Sequence, residues 1–138
     1  MSLNSNQFKK FALIAAKKAD EKKAEEITLL DLRKSQVSVS DYVLILSGNS
    51  DVHVKALKDE IEKEFDQYHL NPTHRDGFKS GHWMVLDYGG LMIHIFHEES
   101  RVFYSLERLW EDAKIVHWNG TQKPREKTIK KRLTRKKK

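Results

Sequence analysis

The feature that most constrains the fold is an apolar run at residues 42–46 (YVLIL), which is followed at once by a turn and a helix-start signal. A short, continuous run of this kind is typical of a strand covered on both faces, as in an α/β sheet. Residues 47–50 (SGNS) end the run, and Ser50 is a good N-cap because its hydroxyl can accept a hydrogen bond from a free backbone N–H group. Asp51 then lies in the first helical turn, where the helix dipole favours a negative charge. The sequence therefore predicts a buried strand that leads into a helix.

Hydrophobic periodicity predicts the other elements. Apolar residues recur every three or four positions in residues 7–23 and again in residues 54–68, which predicts two amphipathic helices. Short apolar runs predict three more strands, at residues 27–32, 83–86 and 91–96. A Gly89-Gly90 pair can form a tight hairpin turn between the last two strands. Residues 71–81 predict a loop and residues 106–112 a short helix, so the order α-β-β-α-β-β-α predicts an α/β fold, a small mixed sheet flanked by helices.

Charge divides the chain into two parts. Residues 121–138 contain ten of the 26 lysines and arginines and one acid, Glu126, so their net charge is +9. Residues 1–120 contain 16 bases and 19 acids, and this mildly acidic body excludes a basic surface that wraps nucleic acid. We expect one α/β domain in residues 1–118 and a basic, disordered tail in residues 119–138.

Composition and hydropathy exclude several classes of protein. The absence of cysteine excludes a disulfide scaffold, a thiolate zinc site and a cysteine nucleophile. No apolar run approaches the roughly 20 residues that span a bilayer. The apolar segment after Lys9-Lys10 is too short for a secretory signal. We therefore expect a soluble, cytoplasmic protein.

The turn at Gly48-Asn49-Ser50 raises the possibility of an enzyme. Nucleotidyltransferases hold a triphosphate with backbone N–H groups at such a helix start. They also need two carboxylates on a following strand, because two Mg²⁺ ions must be held. The acids that follow the turn here lie on the predicted helix, and the next strand offers Asp87 alone. A nucleotidyltransferase-like shape without the catalysis is favoured, and the enzyme is the alternative function.

The seven histidines give a weaker signal for a metal site. His94 and His97 differ by three positions and would point to opposite faces of one strand. No spacing fixes a third ligand. We expect His94 to be partly buried and hydrogen-bonded to a neighbour, and we expect neither a metal nor a cofactor.

Aromatic and charged residues are concentrated in residues 83–110. Trp, Tyr and Arg dominate protein-binding hot spots, because each combines a large apolar area with a polar group. The alternative is that the aromatic residues complete the core and that Arg101 pairs with a nearby glutamate. Trp110 lies late in the predicted helix and beside the acids Glu111-Asp112, so it is harder to bury completely. Composition therefore favours a protein-binding face.

Three groups of segments resemble the signatures of the Iojap-like ribosome silencing factors. They are residues 40–43 (SDYV) with 47–56 (SGNSDVHVKA), residues 83–89 (WMVLDYG) with 94–96 (HIF), and residues 99–101 (ESR) with Tyr104 and 106–110 (LERLW). The resemblance covers most of the predicted folded body. Asp76-Gly77 stands where the family usually has Glu-Gly.

The resemblance implies a nucleotidyltransferase-like fold that lacks the catalytic carboxylates, and a function without catalysis. Family members bind ribosomal protein fourteen (the L-fourteen protein) on the large ribosomal subunit and prevent the small subunit from joining, which represses translation. They can also self-associate, so a homodimer is a further expectation. The residues that the resemblance implies for partner binding are Trp83, Asp87, Tyr88, Arg101, Tyr104, Leu106, Leu109 and Trp110.

The basic tail lies outside the resemblance. Its charge is that of an arm that follows RNA phosphates, since each neutralised phosphate releases counterions. The candidate residues for contact with ribosomal RNA are Lys123, Arg125, Lys130, Lys131, Arg132 and Arg135. The alternative is a solubilising extension, and the absence of aromatic residues argues against sequence-specific reading of RNA.

Overall fold

The computed structural model describes residues 3–77 and 82–118, which form one sheet with helices on both faces. The elements in chain order are α1 (Ser5–Glu21), β1 (Glu25–Asp31), β2 (Tyr42–Gly48), α2 (Asp51–Asp66), β3 (His74–Asp76), β4 (Trp83–Asp87), β5 (Leu91–His97), α3 (Glu98–Tyr104), α4 (Leu106–Leu109) and β6 (Lys114–Val116). Within these described ranges, no helix combines the length and the apolar character required to cross a bilayer.

The strand order in the sheet is β3-β4-β5-β2-β1-β6. The central strands β2 and β5 are parallel, and every other neighbouring pair is antiparallel. All seven residues of β2 are buried, because helices and loops cover both faces of the sheet at its centre. The mixed α/β architecture predicted from the sequence is confirmed.

Two cores lie on the two faces of the sheet. On the first face, α1 and α2 pack over β1, β2 and β5. Helix α1 presents four buried alanines to the sheet, and this row of small side chains lets the helix lie close to the strands: Ala12, Ala15, Ala16 and Ala19. On the second face, a smaller core contains Val43, Ile45 and Phe96 and is covered by residues from the α3–α4 region and from the β1–β2 connection.

Local signals fix the start of α2 and the β4–β5 turn. The Ser50 hydroxyl accepts a hydrogen bond from the His53 N–H group at 3.0 Å, as the N-cap prediction requires. Gly89 has a φ of +89°, which favours glycine in the turn. A Cβ atom at Gly90 would collide with the ring of Phe8, so α1 packs directly against this turn.

Three short elements were not predicted. Strand β3 lies inside the predicted loop at residues 71–81, whose residues 78–81 are outside the described part of the chain. Strands β3 and β6 have only three residues each and form by pairing with β4 and β1 at the two edges of the sheet. The third element, α3, has no clear apolar repeat because a buried arginine faces the core.

Candidate protein-binding surface

The second face of the sheet, opposite α1 and α2, carries most of the aromatic residues predicted for partner binding. Side chains alternate between the faces along a strand. On this face β4 and β5 present Trp83, Val85, Asp87, Met92, His94 and Phe96. The antiparallel register places Trp83 opposite Phe96, and Val85 opposite His94. The strands therefore form an aromatic platform beneath α3 and α4.

Five rings join this platform to the helices, and we call them the aromatic cluster: Trp83, His94, Phe96, Tyr104 and Trp110. The Trp83 ring centroid lies 4.9 Å from that of Phe96 and 4.8 Å from that of Tyr104. The Trp110 ring lies 5.8 Å from the His94 ring. Close ring pairs of this kind add to the stabilisation that burial provides. The cluster therefore holds α3 and the segment after α4 against the sheet.

The outer side of this region exposes large apolar side chains. Tyr104 is 51% exposed, Leu109 is 50% exposed and Phe103 is 72% exposed. The rings of Phe103 and Tyr104 are in edge contact at 5.1 Å, and Trp83 and Leu106 beside them are half-buried. We call these five residues the outer patch: Trp83, Phe103, Tyr104, Leu106 and Leu109. Exposed apolar groups gathered in one region mark interaction sites more often than scattered ones do.

Tyr88 does not belong to this surface, and the expectation that it contacts a partner is corrected. It follows Asp87 and therefore points to the other face of the sheet, where it is buried. Its ring packs edge-on against Phe65 at 5.0 Å. Burial also raises the pKa of the Tyr88 hydroxyl well above its usual range. Tyr88 is a core residue beneath α2.

Arg101 is also buried rather than available to a partner. Its Nε atom lies 2.9 Å from Oε2 of Glu107, which is the glutamate pairing that the alternative interpretation predicted. The guanidinium donates hydrogen bonds to the hydroxyls of Ser47 and Thr28, both at 3.0 Å. It also donates to the Glu26 carbonyl. Arg101 thus ties α3 and α4 to β1 and β2.

Trp110 is 3% exposed, so the expectation that it resists burial is wrong. Helix α4 ends at Leu109, and Trp110 turns inward instead of continuing an exposed helical face. Its indole N–H donates a hydrogen bond to the Val37 carbonyl at 2.9 Å. The β1–β2 connection thus supplies the cover that local sequence does not reveal.

His94 is buried at the base of the aromatic cluster, more completely than the sequence predicts, and the predicted hydrogen bond to a neighbour is confirmed. Its Nδ1 atom accepts a hydrogen bond from the Trp83 indole N–H at 3.0 Å. Burial lowers the pKa of His94 to about 4, since no nearby charge compensates for the loss of water. The ring is therefore neutral at pH 7, with its proton on Nε2.

Asp87 lies at the opposite end of β4 from Trp83, about 13 Å away at the rise of an extended strand. It is half-buried, and its Oδ1 atom accepts a hydrogen bond from the Gly89 N–H group at 2.8 Å. Its Oδ2 atom lies 3.7 Å from Nδ1 of His74 on β3. Asp87 shapes the hairpin turn and keeps a partly accessible carboxylate.

The geometry gives little support to the nucleotidyltransferase alternative. The Asn49 N–H group at the start of α2 donates to Nδ1 of His53 at 3.0 Å, and the Ser50 hydroxyl occupies the His53 N–H group. The backbone N–H groups of Asn49 and His53, which a phosphate would need as donors, are thus already bonded to side chains of the protein. Asp87 is the single acid on β4 and β5. In the part of the chain that the structure describes, no group of three His, Asp or Glu residues could hold a metal ion.

Phe103 is the exposed residue that sequence reasoning missed. It lies two positions after Arg101 in α3, which rotates it by about 200° around the helix axis. Because Arg101 faces the core, Phe103 faces solvent. The spacing of Phe103 from Arg101 predicts an exposed ring only if residues 98–104 are recognised as a helix.

The six tail residues predicted to contact RNA lie outside the described residues: Lys123, Arg125, Lys130, Lys131, Arg132 and Arg135.

Solved structures share this architecture. A crystal structure of a protein from Chromobacterium violaceum has a TM-score of 0.69 and 25% identity, covering 88% of this chain and 98% of that chain. A crystal structure of a protein from Bacillus halodurans has a TM-score of 0.66 and 28% identity, covering 81% of this chain and 98% of that chain. The fold is therefore that of known proteins over nearly their whole length.

Sequence comparison identifies the family. The chain is 39% identical over 103 residues to the ribosomal silencing factor of Bacillus subtilis. The alignment covers 75% of this chain and 86% of that protein. It is 32% identical over 107 residues to the chloroplastic protein Iojap of Zea mays, covering 75% of this chain and 44% of that protein. The family described as "Ribosomal silencing factor during starvation" matches residues 5–138. The chain therefore belongs to the ribosomal silencing factor family.

Proposed function

We propose that this protein binds the large ribosomal subunit through ribosomal protein fourteen and sterically prevents the small subunit from joining, which represses translation in the cytoplasm. Membership of the silencing factor family supports a function on the ribosome. The observation that carries the proposal is the outer patch, where Tyr104 and Leu109 are half-exposed on two short helices fixed to a rigid sheet. Aromatic anchors on a rigid support are typical of binding hot spots.

Binding alone is sufficient for this function. A domain that occupies the joining surface of the large subunit excludes the small subunit without making or breaking a covalent bond. The fraction of blocked subunits then follows mass action, so subunit joining falls as occupancy rises. No catalytic group is required, which agrees with the single acid, Asp87, on β4 and β5.

Charge near the outer patch favours a basic partner. Exposed acids flank the two helices, with Glu99 in the first turn of α3 and Glu111 and Asp112 after α4. These three acids outnumber the exposed base on α4, Arg108. Asp87 adds a partly accessible carboxylate at the far end of β4. Complementary charges at the rim of an interface steer association and select between partners more than they add affinity. A basic ribosomal protein fits these requirements.

Two measurements test the proposal directly. Co-sedimentation with purified large subunits should retain the protein, whereas small subunits should not. Saturating protein should also lower the yield of joined ribosomes when the two subunits are mixed, as measured by light scattering. Retention without any effect on joining would contradict the blocking function, and equal retention by both subunits would contradict the proposed partner.

The outer patch is tested by a matched pair of tyrosines. We expect Tyr104→Ala to weaken binding to large subunits at least tenfold, because it removes a half-exposed ring that contacts both Trp83 and Phe103 of the patch. Tyr68 is 50% exposed and contacts Phe11 on the helical side of the molecule, so Tyr68→Ala is a control of equal size and exposure. Binding is measured by titrating labelled protein with large subunits. Equal affinities of the two variants would contradict the assignment of the patch.

We propose further that the tail of residues 121–138 contacts ribosomal RNA, on the basis of its net charge of +9. Removing these residues should flatten the dependence of binding on salt. Each lost phosphate contact reduces the slope of log K against log salt by about 0.7–0.9. The measurement is the binding constant at four or more salt concentrations for both forms. An unchanged slope would show that the tail is a solubilising extension.

A further inference from the structure

The Trp83 indole is the one ring of the outer patch for which the structure shows a hydrogen bond to a buried side chain. Its N–H group donates to Nδ1 of His94 at 3.0 Å, and its ring stacks on Phe96 with an angle of 24° between the planes. Tyr104 then packs on the Trp83 ring at 4.8 Å. The orientation of Trp83 therefore determines where the exposed phenol of Tyr104 rests.

We infer that His94 is a positioning residue for partner binding, which holds the Trp83 indole by accepting its N–H hydrogen bond from beneath the outer patch. This inference rests on the proposed function, because it concerns how the patch is kept ready to bind. His94 is 5% exposed and cannot itself reach a partner. It acts by fixing the Trp83 side chain, which reduces the conformational entropy lost on binding.

The surroundings of His94 require its neutral form. Its neighbours across the two adjacent strands are Val85 and Ile45, and its ring neighbours include Trp83, Phe96 and Trp110. A protonated ring would lose the Nδ1 acceptor, and it would place a charge among these apolar groups. Burial lowers the pKa of His94 to about 4, which keeps the acceptor available at neutral pH.

Ionisable groups from the elements packed around this face have other partners or lie farther along it. They are Arg101 and Tyr104 on α3, Glu107 on α4 and Asp87 on β4. Arg101 and Glu107 pair with each other, and Asp87 contacts the Gly89 N–H group and lies near His74. Tyr104 reaches the cluster through its ring contact with Trp83. The pKa of His94 is lowered by its burial among apolar groups.

The three tryptophans provide a test with an internal control. The indole N–H groups of Trp110 and Trp118 donate to backbone carbonyls of Val37 and Ile27, whereas only that of Trp83 donates to a histidine. In ¹⁵N–¹H spectra, His94→Leu should shift the Trp83 indole resonance and accelerate its hydrogen exchange at least tenfold. The Trp118 indole proton lies in the core of the opposite face and should keep its slow exchange, which checks that the fold persists.

Binding to large subunits is measured on the same samples. We expect His94→Leu to weaken binding about fivefold, and His94→Asn to restore most of the affinity, because its side-chain oxygen can replace Nδ1 as acceptor. An unchanged Trp83 indole in His94→Leu would overturn the inference. A released indole with unchanged binding would also overturn it, if Tyr104→Ala weakens binding. If neither His94→Leu nor Tyr104→Ala affects binding, the outer patch is not the binding surface. The failure then lies in the proposed function, which the inference requires.

Discussion

Trp110→Ala should lower the free energy of unfolding by about 3–5 kcal/mol, the usual cost of removing a large aromatic side chain from a core. The ring is 3% exposed and packs in the core of the second face with Phe96 and Leu32. The substitution also removes the donor that satisfies the Val37 carbonyl. Urea unfolding followed by circular dichroism measures the effect.

Two further variants separate the contributions of the Trp110 ring, of its hydrogen bond and of the adjacent surface residue to the free energy of unfolding. Trp110→Phe keeps a ring in the core but loses the hydrogen bond, so it should cost less than Trp110→Ala. Leu109→Ala changes the adjacent, half-exposed residue and should alter stability by no more than about 0.5 kcal/mol, as surface substitutions usually do. If Trp110→Ala left stability unchanged and abolished ribosome binding, Trp110 would be a surface anchor after all.

Arg101→Met should also destabilise the fold by about 3–5 kcal/mol, because it leaves the buried Glu107 carboxylate without its partner. The substitution removes the donors to Ser47, Thr28 and the Glu26 carbonyl as well. Arg108→Met is the matched control, since Arg108 lies on α4 and is exposed. Urea unfolding of the two variants should differ by most of the predicted amount.

A double substitution tests why Arg101→Met loses stability. Arg101→Met combined with Glu107→Leu removes both charges, so it should be less destabilising than Arg101→Met alone. Replacing a buried ion pair by apolar groups is often neutral, whereas breaking it is costly. If the double variant were as unstable as the single one, the loss would come from the hydrogen bonds to β1 and β2 rather than from the unpaired carboxylate.

The parts of the fold that could be predicted depend on local chemistry. The run at residues 42–46 and the Ser50 N-cap determine a buried strand and a helix start within ten residues, and both are present. Strand β6 could not be predicted, because its pairing with β1 joins Ile115 to Leu30, far away in sequence. Helix α3 was hidden for a similar reason, since Arg101 is buried only because distant groups on β1 and β2 accept its hydrogen bonds.

The candidate site was predicted as a region and corrected residue by residue. Strand alternation from Trp83 would have placed Tyr88 on the opposite face, so this error was avoidable from the sequence. The burial of Trp110 could not be predicted from the sequence, because the carbonyl that accepts its hydrogen bond belongs to the distant residue Val37. Composition identified the segment rich in rings, but only tertiary contacts decide which rings reach the surface.

The parallel pairing of β2 with β5 has a consequence during synthesis of the chain. Tyr42 lies opposite Leu91, a separation of 49 residues, so β2 leaves the exit tunnel long before the strand that covers its edge. Until then β2 is an uncovered apolar strand edge in the nascent polypeptide, which is a hazard for aggregation. Loop closure over this distance also delays the central pairing relative to local helix formation. Slower elongation after β2 has emerged from the tunnel and before β5 has emerged should therefore lower the soluble yield of this protein more than the same pause placed before β2 emerges.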